Sequence, residues 1–190
     1  MLFNVKSVSS LIVVASLANA KAVNKRADVT GATLYVYGSD VNGPAVFYAD
    51  GKRKAYFGNS PVSEVTGTQT NITFGAPDDT TTPWAITANS TTVTFNETLN
   101  MYINPTGFDQ VGFASAASVP SGDITSGFAW FGKSVAYAAN SSDYKLMFSG
   151  VPTNTTGVYA LYWNGDRTLA PTGSFPVTVK RTAPTFPSLS

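Results

Sequence analysis

The sequence predicts an all-β protein: a single antiparallel β-sandwich, with a β-trefoil or a barrel as the alternative. Apolar and polar residues alternate in many short runs, and turn-forming residues separate the runs at spacings of about 8–12 residues. Such alternation is typical of antiparallel sheets that expose one face to water. The motif Asp50-Gly51 between two such runs adds a strong β-hairpin signal.

The first run, Thr33–Tyr37, alternates between two faces and ends at Gly38-Ser39-Asp40. The next two runs, Val46–Ala49 and Ala55–Phe57, flank Asp50-Gly51 and form the predicted hairpin. We interpret each of the later apolar runs as a further strand. These runs are Ile72–Phe74, Trp84–Thr87, Thr92–Phe95, Leu99–Ile103, Val111–Phe113, Phe128–Phe131, Val135–Tyr137, Val158–Trp163 and Val177–Val179.

Two stretches need separate interpretation. Polar turns of three to four residues separate Trp84–Thr87, Thr92–Phe95 and Leu99–Ile103, so these runs predict a three-stranded meander. The segment Ser141–Phe148 contains helix-capping residues, so both a two-turn helix and a strand remain possible for it.

Residues 1–20 have the pattern of a signal peptide. Lys6 precedes the apolar run Leu11–Ala15, and Ala18-Asn19-Ala20 provides a small-residue cleavage site after Ala20. The apolar run is shorter than the roughly 20 residues of a membrane-spanning helix, so we predict secretion and no membrane span. Residues 21–26 form a short pro-segment that ends in the dibasic pair Lys25-Arg26, a kexin-type processing site typical of fungal precursors.

For the rest of the chain we predict a single β domain over residues 27–182 and a disordered tail over residues 183–190. Removing residues 1–26 takes away four of the 12 basic residues and none of the 11 acidic ones, so the net charge changes from +1 to about −3. The one basic cluster, Lys52-Arg53-Lys54, follows the predicted hairpin turn. Nucleic-acid binding needs clustered positive charge, so we predict no nucleic-acid partner.

The chain has no histidine and no cysteine. This composition excludes a Ser-His-Asp triad, a thiol nucleophile, and zinc or copper sites built on those residues. We predict no cofactor and no metal. Without disulfides the fold depends on its core, to which the 23 aromatic residues after residue 26 can contribute large buried surfaces.

A glycoside hydrolase would need only two converging carboxylates. The chain has two glutamates, Glu64 and Glu97, and Glu97 lies inside a predicted turn. Several aspartates have turn-capping contexts that explain them without catalysis. These are Asp40, Asp50, Asp78, Asp79, Asp123 and Asp166. The sequence therefore favours a non-catalytic protein, with a carboxylate-pair β-glucanase as the alternative.

Five Asn-X-Ser/Thr sequons in or beside predicted turns indicate a glycoprotein. They are Asn71, Asn89, Asn96, Asn140 and Asn154.

Aromatic residues are the other candidates for function, because flat rings stack on sugar faces. Adjacent residues of a strand point to opposite sides, so either Trp130 or Phe131 faces outward. We predict a carbohydrate-binding platform at Trp130 and Tyr137, and core packing is the competing interpretation of these rings.

Five short sequence segments resemble those of a known family: Gly31–Gly38, Phe47–Gly51, Thr82–Ile86, Gly127–Lys133 and Gly157–Trp163. Together they resemble a family of small, cysteine-free secreted proteins of filamentous ascomycetes. Some members are labelled endo-1,3(4)-β-glucanase, and the family is linked to secreted proteins that induce plant cell death. The resemblance implies an extracellular protein of the cell wall or host apoplast that acts as an elicitor. Its expected partner is a wall polysaccharide or a host cell-surface receptor.

Overall fold

The computed structural model describes residues 28–39, 41–49, 51–58, 63, 67–140 and 142–185. These residues form fifteen β-strands and one turn of 3-10 helix at Arg167–Leu169, which confirms the all-β class. The strands are β1 Val29–Ala32, β2 Tyr35–Gly38, β3 Val41–Ala49, β4 Lys54–Gly58, β5 Gln69–Ala76, β6 Ala85–Ala88, β7 Leu99–Tyr102, β8 Phe108–Gln110, β9 Gly112–Ala114, β10 Phe128–Phe131, β11 Ser134–Asn140, β12 Asp143–Lys145, β13 Phe148–Pro152, β14 Val158–Asn164 and β15 Phe175–Lys180.

Ten strands close into an antiparallel barrel. The ring runs through β5, β6, β7, β9, β4, β14, β13, β15, β2 and β3, and β3 pairs back onto β5. Strands β3 and β4 are also paired with each other, as the hairpin motif predicted. Outside the ring, β1 joins β5, β8 joins β14, and the antiparallel set β10–β11–β12 joins β15.

The predicted sandwich is therefore wrong, and the barrel alternative is confirmed. The difference arises from β3, whose nine residues pair with two strands in succession. Its first half pairs with β2, from Tyr35↔Ala45 to Gly38↔Val41, and its second half pairs with β5, including Phe47↔Asn71. This double pairing joins what would otherwise be two separate sheet edges and closes the barrel.

The inward side chains fill the barrel with large apolar groups. Trp84, Trp163, Phe57, Phe74 and Val36 are each at most 1% exposed. The interior around Leu34, Phe113 and Leu161 has no space for a water molecule, so this part of the barrel is packed like other protein cores.

One local prediction was wrong. Residues 92–95 form no strand, and β6 pairs directly with β7, so the predicted three-stranded meander is absent from this part of the chain. In the segment after Ser141, where helix and strand had both been left open, the structure has strands β12 and β13. Strand β12 forms a hairpin with β11, and β13 pairs with β14, so strand pairing outweighs the local capping signal.

Within the described residues, no helix has the length and hydropathy needed to cross a membrane. The predicted signal peptide, its predicted cleavage site after Ala20 and the dibasic pair Lys25-Arg26 lie outside the described residues, as do Asp40, Asp50 and Glu64. The described chain continues beyond Thr182 to Thr185.

Candidate binding face on the outside of the barrel

One outer face of the barrel combines exposed rings with cationic and hydroxyl groups. Direct partners in an antiparallel pair point to the same side of the sheet, and the register can be followed across four strands. Phe131 on β10 pairs with Ser134 on β11, Ser134 pairs with Lys180 on β15, and Lys180 pairs with Tyr35 on β2. Tyr37 follows Tyr35 with the strand period of two. We refer to the side of the sheet that carries these residues and Tyr144 as the aromatic face.

Phe131 and Tyr144 form the most exposed part of the aromatic face. Phe131 is 56% exposed and Tyr144 is 39% exposed, and their ring centroids lie 5.7 Å apart at an interplanar angle of 39°. Tyr144 pairs with Ala138, two residues along the same face from the fully buried Ala136. Small residues between the two rings let them tilt together above the strand and present a continuous apolar surface.

An open cleft of about 430 Å³ lies on the aromatic face, and neither of the two rings is among its lining residues. Ser134, the cross-strand partner of Phe131, is one of its lining residues. The full lining consists of Tyr37, Asn42, Lys133, Ser134, Lys180, Thr182, Ala183, Pro184 and Thr185. The volume lies within the range of roughly 300–1,000 Å³ that is usual for small-molecule sites.

The segment after β15 forms one wall of the cleft. The Tyr37 hydroxyl donates a hydrogen bond of 2.7 Å to the carbonyl oxygen of Thr182. Pro184 occupies the space beside Gly43 that a Cβ atom would need, and Gly43 has a φ of +74°. Glycine accommodates both this left-handed backbone and the close approach of the proline, so the wall depends on glycine at this position.

The phenol of Tyr37 is held in its neutral form. Burial is the main cause of its raised pKa, and the neighbouring Tyr35 raises the pKa further. The ammonium nitrogen of Lys180 lies 5.1 Å from the centroid of the Tyr37 ring, in a cation–π contact. The cleft therefore contains a neutral phenol beside a charged ammonium.

The two rings predicted as the platform lie on the other side of these strands. Trp130 is only 6% exposed and packs against Trp84, with ring centroids 4.8 Å apart. Tyr137 is half-buried and meets Trp163 edge-on at 5.8 Å. Neither ring offers a free face for stacking, so Phe131, which the alternation had left open, is the exposed member of its run.

All five sequon asparagines are exposed. Asn71 lies within β5, whereas we had expected every sequon in or beside a turn. Asn140 ends β11, and its side-chain oxygen accepts hydrogen bonds from the backbone nitrogens of Ser142 and Asp143. None of the five residues lines the cleft, so glycans attached to them would start outside it.

Several carboxylates have local structural roles. Asp79 accepts hydrogen bonds from the backbone and side chains of Thr81 and Thr82, and these bonds, led by the Thr81 hydroxyl, lower its pKa to about 2. Glu97 forms an exposed ion pair of 2.7 Å with Arg53. Its pKa is lowered, first by a hydrogen bond from Ser115 and then by Arg53, so it is a poor proton donor.

Another group of polar residues includes Asp109, which the sequence analysis did not consider. Asp123 is half-buried, and its pKa is raised by desolvation and by the charge of Asp109, while Lys54 opposes the shift. The Lys54 ammonium donates a 2.8 Å hydrogen bond to the Tyr102 hydroxyl. Glycosidases use a carboxyl group with a raised pKa as the proton donor, so the hydrolase alternative is best tested at Asp123.

Compared with protein-family models, curated proteins and solved structures, the chain matches none. The geometry of the aromatic face and the cleft is therefore the observation from which a function can be inferred.

Proposed function

We propose that this chain is a secreted, non-catalytic fungal domain that binds cell-wall polysaccharide through its aromatic face. The observation that carries this proposal is the pair Phe131 and Tyr144, two exposed rings that are in contact on strands joined to the barrel. Contiguous exposed apolar surface marks sites of interaction. A sugar ring has an apolar face that can stack on them.

The cleft beside the rings supplies the polar contacts that such a ligand needs. Binding sites combine apolar surface with a few polar groups that fix orientation. Ser134 and Asn42 offer hydroxyl and amide donors for sugar hydroxyl groups. The backbone beneath these side chains is fixed by the barrel, so little conformational entropy is lost on binding.

The elicitor role is a second proposal, and its support is the resemblance to secreted ascomycete proteins. A host receptor can recognise a surface patch and requires no active site. Extracellular location in the wall or apoplast fits both proposals, so the same set of proteins is used to test both of them.

The test is a pull-down of pure protein on insoluble β-glucan and on chitin, compared with the double variant Phe131→Ala/Tyr144→Ala. Leu169→Ala is the matched control, because Leu169 is 61% exposed and lies on the 3-10 helix instead of the aromatic face. We expect retention of the wild type and of the control, and a loss of at least tenfold for the double variant, since base–aromatic stacking contributes roughly 1–3 kcal/mol per ring and about 1.4 kcal/mol corresponds to tenfold.

Infiltration of the same three proteins into leaves tests the elicitor proposal. Cell death caused by a protein that no glycan retains would support receptor recognition and contradict the binding proposal. Incubation with a panel of soluble β-glucans tests the hydrolase alternative: depolymerisation that Asp123→Asn or Glu97→Gln abolishes would replace both proposals with an enzyme.

A further inference from the structure

Two of the residues that line the cleft are lysines. The ammonium group of Lys180 faces the ring of Tyr37. Lys133 is exposed on the turn between β10 and β11. Of the described residues that line the cleft, none is acidic.

Two cations elsewhere on the barrel pair with carboxylates. Arg53 pairs with Glu97 at 2.7 Å, and Lys145 pairs with Asp143 at 3.7 Å. The cleft is thus a local region of positive charge on a chain whose net charge after residue 26 is about −3. Such a region attracts anions, because field lines concentrate in a cleft with low-dielectric walls.

We propose that the cleft selects an acidic saccharide, one that carries a carboxylate or phosphate group. This inference rests on the proposed polysaccharide-binding function and defines its ligand class. The anionic group lies between the ammonium groups of Lys133 and Lys180, and the adjoining sugar stacks on the rings of Phe131 and Tyr144. The Ser134 hydroxyl, which lies between the charged and the aromatic halves of the site, donates to the sugar.

The experiment compares oligogalacturonate with its methyl ester, two ligands that share a backbone and differ in the charge of the carboxyl group. Isothermal titration in about 0.15 M salt should give about tenfold tighter binding of the acid, since two partly screened charge contacts of modest strength add. Phosphorylated mannan, titrated against dephosphorylated mannan, tests phosphate as the alternative source of the charge.

Lys133→Gln/Lys180→Gln should weaken binding of the acid about tenfold and leave binding of the ester unchanged. Lys52→Gln is the matched control, because Lys52 is an exposed lysine on the β3–β4 turn, away from the cleft. Polyglutamate provides a polyanion without sugar, and we expect it to bind at least tenfold more weakly than oligogalacturonate.

The outcomes separate the two proposals. Equal binding of charged and neutral forms of both ligands, with loss in Phe131→Ala/Tyr144→Ala, would overturn the acidic selectivity and leave the polysaccharide proposal standing. Polyglutamate binding as tight as that of oligogalacturonate would reduce the cleft to a general anion site and also overturn it. Absence of binding to every glycan, neutral or charged, would remove the proposed function itself.

Discussion

Truncation of two adjacent aromatic residues should have opposite consequences. Trp130 is 6% exposed inside the barrel, and Phe131, its neighbour, is 56% exposed outside it. Trp130→Ala removes a core ring, for which large-to-small changes lower the free energy of unfolding by about 4 kcal/mol. Phe131→Ala loses less than half of the burial of a phenylalanine plus one ring contact, or about 1.5 kcal/mol.

Scanning calorimetry at neutral pH turns these free energies into temperatures. For a domain of this size, 1 kcal/mol shifts the unfolding temperature by roughly 3 °C, so we expect about 12 °C for Trp130→Ala and about 4–5 °C for Phe131→Ala. In the glycan pull-down we expect the opposite order: Phe131→Ala should lose more binding than Trp130→Ala, because the folded Phe131→Ala protein lacks the stacking ring. Equal shifts in the two variants would refute the assignment of Phe131 to the outer face.

Three further predictions follow from the polar and glycine positions. Gly112→Ala should lower the free energy of unfolding by about 1–3 kcal/mol in urea titration, because the new methyl group would overlap the Tyr102 ring, whereas Gly75→Ala, which has space, should change it by less than about 1 kcal/mol. The wild type should lose stability as pH falls from 3.8 to about 2, because hydrogen bonds lower the folded-state pKa of Asp79. Asp79→Asn should remove this loss. If the capping role is wrong, melting temperatures measured from pH 2 to 6 will have the same slope in the variant as in the wild type. Burial raises the folded-state pKa of Asp123, so ionisation of this carboxyl destabilises the fold as pH rises above 3.8. Asp123→Asn should therefore raise the melting temperature at pH 7 and not at pH 3. Equal effects of the substitution at both pH values would contradict this.

Strand positions could be predicted from the sequence far better than their closure into a barrel. Alternation within a run such as Thr33–Tyr37 reports which residues face the core, and that is local information. Closure depends on which edges meet, and here it depends on the pairing of β3 with both β2 and β5. A run of alternating residues contains no record of its distant partners, so a sandwich and a barrel give the same local pattern.

The run singled out in the sequence contains an exposed ring, but that ring is Phe131 and not Trp130. Alternation narrowed the choice in Phe128–Phe131 to Trp130 or Phe131, and ring size alone could not decide between them. The two-residue turn Gly132-Lys133 carried the missing signal, since it pairs Phe131 with Ser134 and Trp130 with Val135. A polar partner indicates the wet face and a β-branched apolar partner the core. Tyr144 was missed because a helix had been left open around it.

The register of these strands therefore determines both the core and the binding face. Val36, Val135 and Val179 are buried, and each adjoins a residue that points outward beside the cleft. A shift by one residue would exchange all of these positions together, turning Trp130 outward and Phe131 inward. Barrel closure makes such a shift costly at every strand, so a chain without disulfides can still hold the aromatic face rigid. The buried valines are thus part of the mechanism by which the outer rings and lysines are kept in place.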